Sequence, residues 1–221
     1  MQTDTTPRLP FDSVETWVFD LDNTLYPPAV RLFDQIDARM TDFVMRATGL
    51  ARAPADRLRH QYWLDYGTTL AGLMHHHGVD PVPYLEQVHA IDFSVLSPDP
   101  ALRRALSRLP GRRIVYTNGS APYAHRVLEA RGLTGLFDAV YGVEHADYHP
   151  KPQPQAFATV FAADGLDPRR AAMFEDDPRN LRVPHDLGMR TVHVAPCPLP
   201  PSKAAHIHYH TDDLSGFLAR I

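Results

Sequence analysis

VETWVFDLDNTLYPP, residues 14–28, decides how the rest of the chain reads. Residues 14–21 are an apolar run of β-formers that ends among acidic residues, the signature of a buried first strand. From Pro28 the rhythm changes: Val30, Phe33, Ile36, Met40, Phe43, Val44 and Ala47 recur by threes and fours, one face of a helix that Gly49 closes. Helical stretches follow over 54–66 and 68–77, the latter stopped by Gly78, and another starts near Pro81. Four helices in a row thus contain no strand. Beyond Pro98 the pattern alternates: a helix through Leu102, Leu106 and Leu109, strand RIVYT (113–117), a helix to Arg131 and a strand over 137–141. A helix over 153–163, strand AAMFE ending at Glu175, a helix before Gly188, strand TVHV, a short strand near Ile207 and a last helix complete it. Alternation at this spacing predicts an α/β fold, a doubly wound parallel sheet covered on both faces. The helical block interrupts it directly after the first strand. The expected division is an α/β core of 14–26 and 96–221 with an inserted α-helical cap of 27–95, behind a polar leader of 1–13.

Composition narrows the function classes. A chain of 221 residues is long enough to bury a core without disulfides, and its single cysteine, Cys197, cannot form one within the chain. With no apolar run of signal-peptide or membrane length, the expectation is a cytoplasmic protein with no membrane partner. Lys+Arg 22 against Asp+Glu 26, without basic clusters, leaves no electrostatic footprint for nucleic acid. The oligomeric state stays open, a homodimer included.

In an open parallel sheet the ligand crevice lies at the carboxyl ends of the strands, so polar residues closing each strand should converge there. The first strand ends at Asp20 and Asp22, RIVYT at Thr117 and Asn118, AAMFE at Glu175, Asp176 and Asp177, and Lys151 follows the fourth strand after a short loop. Carboxylates gathered in this way repel one another and call for a hard cation with oxygen ligands, for which Mg²⁺ beside a phosphate is the common case. Lys151, Thr117 and the amides around Asn118 and Gly119 could then hold phosphoryl oxygens, and an aspartate could attack phosphorus.

The segments FDLDNTL (19–25), YTNGS (116–120), HPKP (149–152) and MFEDDPRNL (173–181), in this order and each at or just past a strand end, resemble the four motifs of the haloacid dehalogenase superfamily. The resemblance implies a Rossmann-like core with a helical C1-type cap. It implies Asp20 as nucleophile, Asp22 as general acid and base, Thr117 as phosphate donor, Lys151 as charge partner, and Asp20, Asp22 and Asp176 around Mg²⁺, with Glu175 and Asp177 behind them. DNTLYPP (22–28), YGTTLAGLMHHHGVDPVPYL (66–85) and YTNGSAPYAHRVL (116–128) further resemble the pyrimidine 5′-nucleotidase-like branch, which implies hydrolysis of nucleoside monophosphates.

The expectation is therefore a Mg²⁺-dependent phosphomonoesterase working through an aspartyl-phosphate on a small phosphorylated metabolite. Asn118 and Gly119 would bind substrate from the core, and Tyr66, Gly72 and His77 from the cap, the small Gly72 letting a flat ring approach. Three rivals share the residues. A phosphomutase would differ mainly in its cap. A 2-haloacid dehalogenase expels halide and needs neither metal nor acid, so Asp22 and the acidic run at 175–177 speak against it. A phosphoacceptor signalling domain also gathers acids, Thr and Lys at strand ends, but in another order and without a helical insert. His75, His76 and His77 point in different directions around a helix and make a poor metal site. His206, His208 and His210 alternate as on one face of a strand.

Overall fold

The computed structural model describes residues 9–221; the first eight residues of the polar leader lie outside it. Six strands, β1 (Thr16–Phe19), β2 (Arg112–Tyr116), β3 (Ala139–Tyr141), β4 (Ala171–Glu175), β5 (Arg190–Val194) and β6 (Tyr209–Thr211), form one sheet in the order β3-β2-β1-β4-β5-β6. Every pairing is parallel. The chain builds outward to one side through β2 and β3, then crosses back and builds the other way from β4. The crevice where this order reverses lies over the carboxyl ends of β1 and β4.

Alternation along the strands sends side chains to two faces. Trp17, Phe19, Val115, Phe174 and Val192 enter one apolar cluster, and Val18, Ile114 and Met173 enter the other. Phe19 and Phe174 are register partners on neighbouring strands and stack at 4.7 Å. Helices α5 (Pro100–Arg108), α6 (Ala121–Ala130) and α9 (Leu214–Leu218) pack on the first face, and α7 (Pro154–Asp164) on the second, with the short α8 (Arg182–Asp186) following β4.

Between β1 and α5 the chain runs through α1 (Leu32–Thr48), α2 (Arg52–Tyr66), α3 (Thr69–His77) and α4 (Pro81–Val88). α1 begins later than Pro28, because Pro28–Val30 form a 3-10 turn and Arg31 adopts φ +57 before the helix starts. Thr68 caps α3 by accepting from the Ala71 amide, and Gly49 and Gly78 end α1 and α3 in the left-handed region. The last strand also starts later than Ile207, whose amide is held in a turn by the Ala204 carbonyl. The three alternating histidines therefore do not share a strand: His206 Nε2 meets the Pro178 carbonyl, His208 Nδ1 accepts from the Thr191 amide, and only His210 lies in β6. Among the described residues no helix is long and apolar enough to cross a membrane.

Candidate active site

Asp20 is the first residue after β1, and its amide is held by the Phe174 carbonyl of β4, so the strand pairing itself sets its position. Its side chain is nearly buried, with Oδ1 accepting from Lys151 Nζ at 2.7 Å and Oδ2 from Thr24 Oγ1 at 3.4 Å. Lys151 reaches the site from the loop between β3 and α7. Its ammonium spends its three donors on Asp20, on Glu175 Oε2 (2.7 Å) and on the Tyr116 carbonyl (2.9 Å). Burial alone would push this amine down; the Asp20 and Glu175 carboxylates outweigh it and hold its pKa above the ordinary value. Asn118 clamps the lysine from behind, donating to the Lys151 carbonyl (3.0 Å) and accepting from its amide (2.8 Å).

Ligand oxygens of Asp20, Glu175 and Asp176 lie within 4.8 Å of one another. Three carboxylates thus face one ammonium. Burial first, and then the Asp20 charge, push Asp176 up to about 7 and Glu175 well above the usual carboxylate range, although Lys151 pulls Glu175 down. Such a group is short of positive charge, and its all-oxygen donors suit a hard divalent cation. Asn23 Nδ2 donates to Asp176 Oδ2 at 3.3 Å, tying the first loop to the third acid.

Asp22 does not join that group through its carboxylate. Its side chain turns away from that group, and one oxygen accepts from both Tyr26 (2.6 Å) and Tyr123 (2.5 Å). Burial first, and the Asp20 charge second, raise it to about 6 despite the two tyrosines. Glu175 takes its place in the acidic group, where it pairs with Lys151. Asp177, expected behind the metal, caps the next turn through the Arg179 amide and pairs with that guanidinium at 2.7 Å. Thr117 is buried at the end of β2, its hydroxyl oxygen accepting from the Gly119 amide at 2.9 Å.

Asp20, Asp22, Thr117, Lys151, Glu175 and Asp176 line one cavity of about 400 Å³ that continues into the helical insert. The three cap residues expected to contact substrate do not line it. A Cβ on Gly72 would overlap the Tyr62 side chain, so the missing side chain serves the packing of α3 on α2. His77 is exposed and bonds the Tyr62 hydroxyl (2.8 Å), and Tyr66 bonds His76 (2.6 Å). The insert reaches the cavity instead through Gly67, Thr68, Thr69 and Leu70 at the start of α3, and through α1, α2 and α4. Gly67 (φ +89) is a close approach to the core: a Cβ there would lie 3.0 Å from the Lys151 carbonyl. Sequence reasoning missed Gly67, Tyr26 and Tyr123. The two tyrosines sit inside the quoted motif neighbourhoods, four residues after Asp22 and six after Thr117, and their shared target shows only in three dimensions.

A family profile for haloacid dehalogenase-like hydrolases matches residues 14–188. Phosphate metabolism protein 8 of Saccharomyces cerevisiae is 28% identical over 203 residues, covering 83% of this chain and 63% of that protein; the chain thus spans under two thirds of the relative's length. Similar solved structures include a dehalogenase with an intermediate complex (TM-score 0.63, 18% identity, 94% of this chain and 97% of that one). CbbY from Rhodobacter sphaeroides in complex with phosphate is another (TM-score 0.62, 20% identity, 91% and 95%). At these identities the solved structures share the fold.

Proposed function

The chain belongs to the haloacid dehalogenase-like hydrolases, and from that premise we propose that it is a Mg²⁺-dependent phosphomonoesterase working through an aspartyl-phosphate, with a pyrimidine nucleoside 5′-monophosphate as favoured substrate. In this reading the core is 14–26 and 96–221 and the helical insert, 27–95, is its cap. The observation that carries the proposal is Asp22, a half-buried carboxyl at the cavity wall, raised to about 6 and aimed by two tyrosines. A halide leaves without a proton, whereas an alkoxide needs one, and only the second reaction has use for this group.

Asp20, Glu175 and Asp176 would hold the ion, which when bound supplies positive charge to the phosphoryl oxygens. Asp20 is the attacking carboxylate. Lys151 steers its oxygen, and to touch a phosphoryl oxygen it must give up one of its present acceptors. Thr117, whose oxygen accepts from Gly119, retains its hydroxyl proton for a phosphoryl oxygen. Asp22 gives its proton to the departing alkoxide, then takes one from the water that cleaves the aspartyl-phosphate. The nucleotide preference draws on the branch resemblance and on a cavity large enough for a nucleoside.

The test is phosphate release from p-nitrophenyl phosphate and from UMP. Chelator should abolish both activities and Mg²⁺ restore them, while Ca²⁺, which accepts more oxygen ligands, should inhibit. Full activity in excess chelator would sink the metal-dependent reading.

A further inference from the structure

The far end of the cavity, inside the insert, has its own charge pattern. Its walls are apolar, from Phe33, Ile36, Met40, Leu70, Leu85 and Val88. Set into them are Asp37 from α1, Arg59 from α2 and Tyr84 from α4. Arg59 is the one Lys or Arg among the described residues lining this end, and it is already neutralised. Its Nη1 pairs with Asp37 Oδ1 at 2.7 Å, and its Nη2 lies 3.3 Å from Asp56 Oδ1. Asp37 lines this end and Asp56 lies outside the cavity; between them the guanidinium charge is already met, and the described lining of this end offers no free cation. His89, at the junction with the core, is held neutral by burial, its pKa lowered to about 4.

Hydrogen-bonding capacity nevertheless remains. Tyr84 is 2% exposed, and its hydroxyl has no partner. The charges of Arg59 and Asp37 both bear on that hydroxyl, which places the three groups together. A buried hydroxyl without a partner is costly, and a ligand acceptor brought into the adjoining cavity would relieve it. Asp37 keeps its second oxygen for a ligand donor.

We propose that this end of the cavity selects phosphomonoesters of uncharged alcohols, whose far end carries hydrogen-bonding groups, and rejects those bearing a second anion, through Asp37, Arg59 and Tyr84. The inference rests on the phosphatase reading and deepens it. The phosphoryl group is held at the core end, so a carboxylate or second phosphate on the alcohol must approach Asp37 with no free cation to receive it. A neutral carbonyl, amide or hydroxyl meets donors and an acceptor instead.

The experiment uses matched pairs that differ by one carboxylate: UMP against orotidine 5′-monophosphate, and glycerol 3-phosphate against 3-phosphoglycerate, with p-nitrophenyl phosphate as reference. Wild type is expected to favour the uncharged member of each pair in kcat/KM by about tenfold or more. Asp37→Asn releases Arg59 Nη1 from its carboxylate, so the ratio should fall by about tenfold, and a ratio cancels any loss common to both members. Tyr84→Phe should lower kcat/KM for the uncharged member more than for the charged one. A wild-type ratio below about threefold in both pairs, or one that Asp37→Asn leaves unmoved, overturns the proposal even while p-nitrophenyl phosphate is hydrolysed. No Mg²⁺-dependent release from any of the five esters overturns the phosphatase reading itself.

Discussion

Asp20 is held by an ammonium and Asp22 by two phenols, and in the proposed reaction that difference gives the two neighbouring carboxylates two roles. Lys151 holds one Asp20 oxygen at 2.7 Å, whereas burial favours the protonated form of Asp22. Asp20→Asn should abolish turnover of every ester, because an amide is a poor nucleophile toward phosphorus; activity within threefold of wild type in a phosphate-release assay would remove Asp20 from that role. Tyr123→Phe deletes one of the two bonds that aim Asp22 and leaves a ring that still stacks on His89 at 4.2 Å. Its kcat should fall about tenfold or more for UMP, whose alkoxide must be protonated, and distinctly less for p-nitrophenyl phosphate, whose leaving group needs little help. Equal losses on both would mean that the tyrosine only supports the fold.

Specific polar and ring contacts tie the helices of the insert to the core, beside an apolar cluster that both share. Gln153 Nε2 donates to the Tyr66 carbonyl at 3.3 Å, beside the Gly67 turn that lies against Lys151. Arg179, paired with Asp177 past the end of β4, lies over the Trp63 ring of α2 at 3.6 Å. The sequence pattern could not show these contacts, since they join residues far apart in the chain and need no periodicity. It also misread Gly72, a helical glycine that suggests open space when seen in one dimension. The space is filled by Tyr62. Gly72→Ala should therefore act as overpacking between α2 and α3 and cost about 1–3 kcal/mol in denaturant unfolding. A variant as stable as wild type, with raised KM for nucleotides alone, would return Gly72 to the substrate site.

For the molecule as a whole, what was legible is what repeats. Strand and helix periods yielded the doubly wound sheet and the helical insert, and polar residues at strand ends yielded the acids, Thr117, Asn118 and Lys151 at one crevice. What stayed hidden was orientation: that Asp22 turns from the acidic group, that Glu175 turns into it, and that His89 closes the joint between insert and core. His89 follows α4, its ring lies flat on Tyr123 of α6, and its Nδ1 is 3.1 Å from the Ser120 hydroxyl. Burial lowers its pKa from 6.5 to about 4, so the unfolded chain takes up a proton near 6.5 that the folded protein refuses until about 4. The stability this neutral ring contributes is whole above pH 6.5 and is lost as pH falls from 6.5 toward 4, by up to about 3 kcal/mol. Asp22, Glu175 and Asp176 have raised values, so their contribution runs the other way, present at low pH and lost as pH rises through them. They would mask the histidine in a single profile. Comparing wild type with His89→Asn removes them, because both proteins carry the same acids. The difference in unfolding free energy between the two should shrink as pH drops from 6.5 to 4, when the wild type must bury a charge or release the joint. A difference that stays flat across that window would show that the ring titrates as freely in the folded protein as in the unfolded chain.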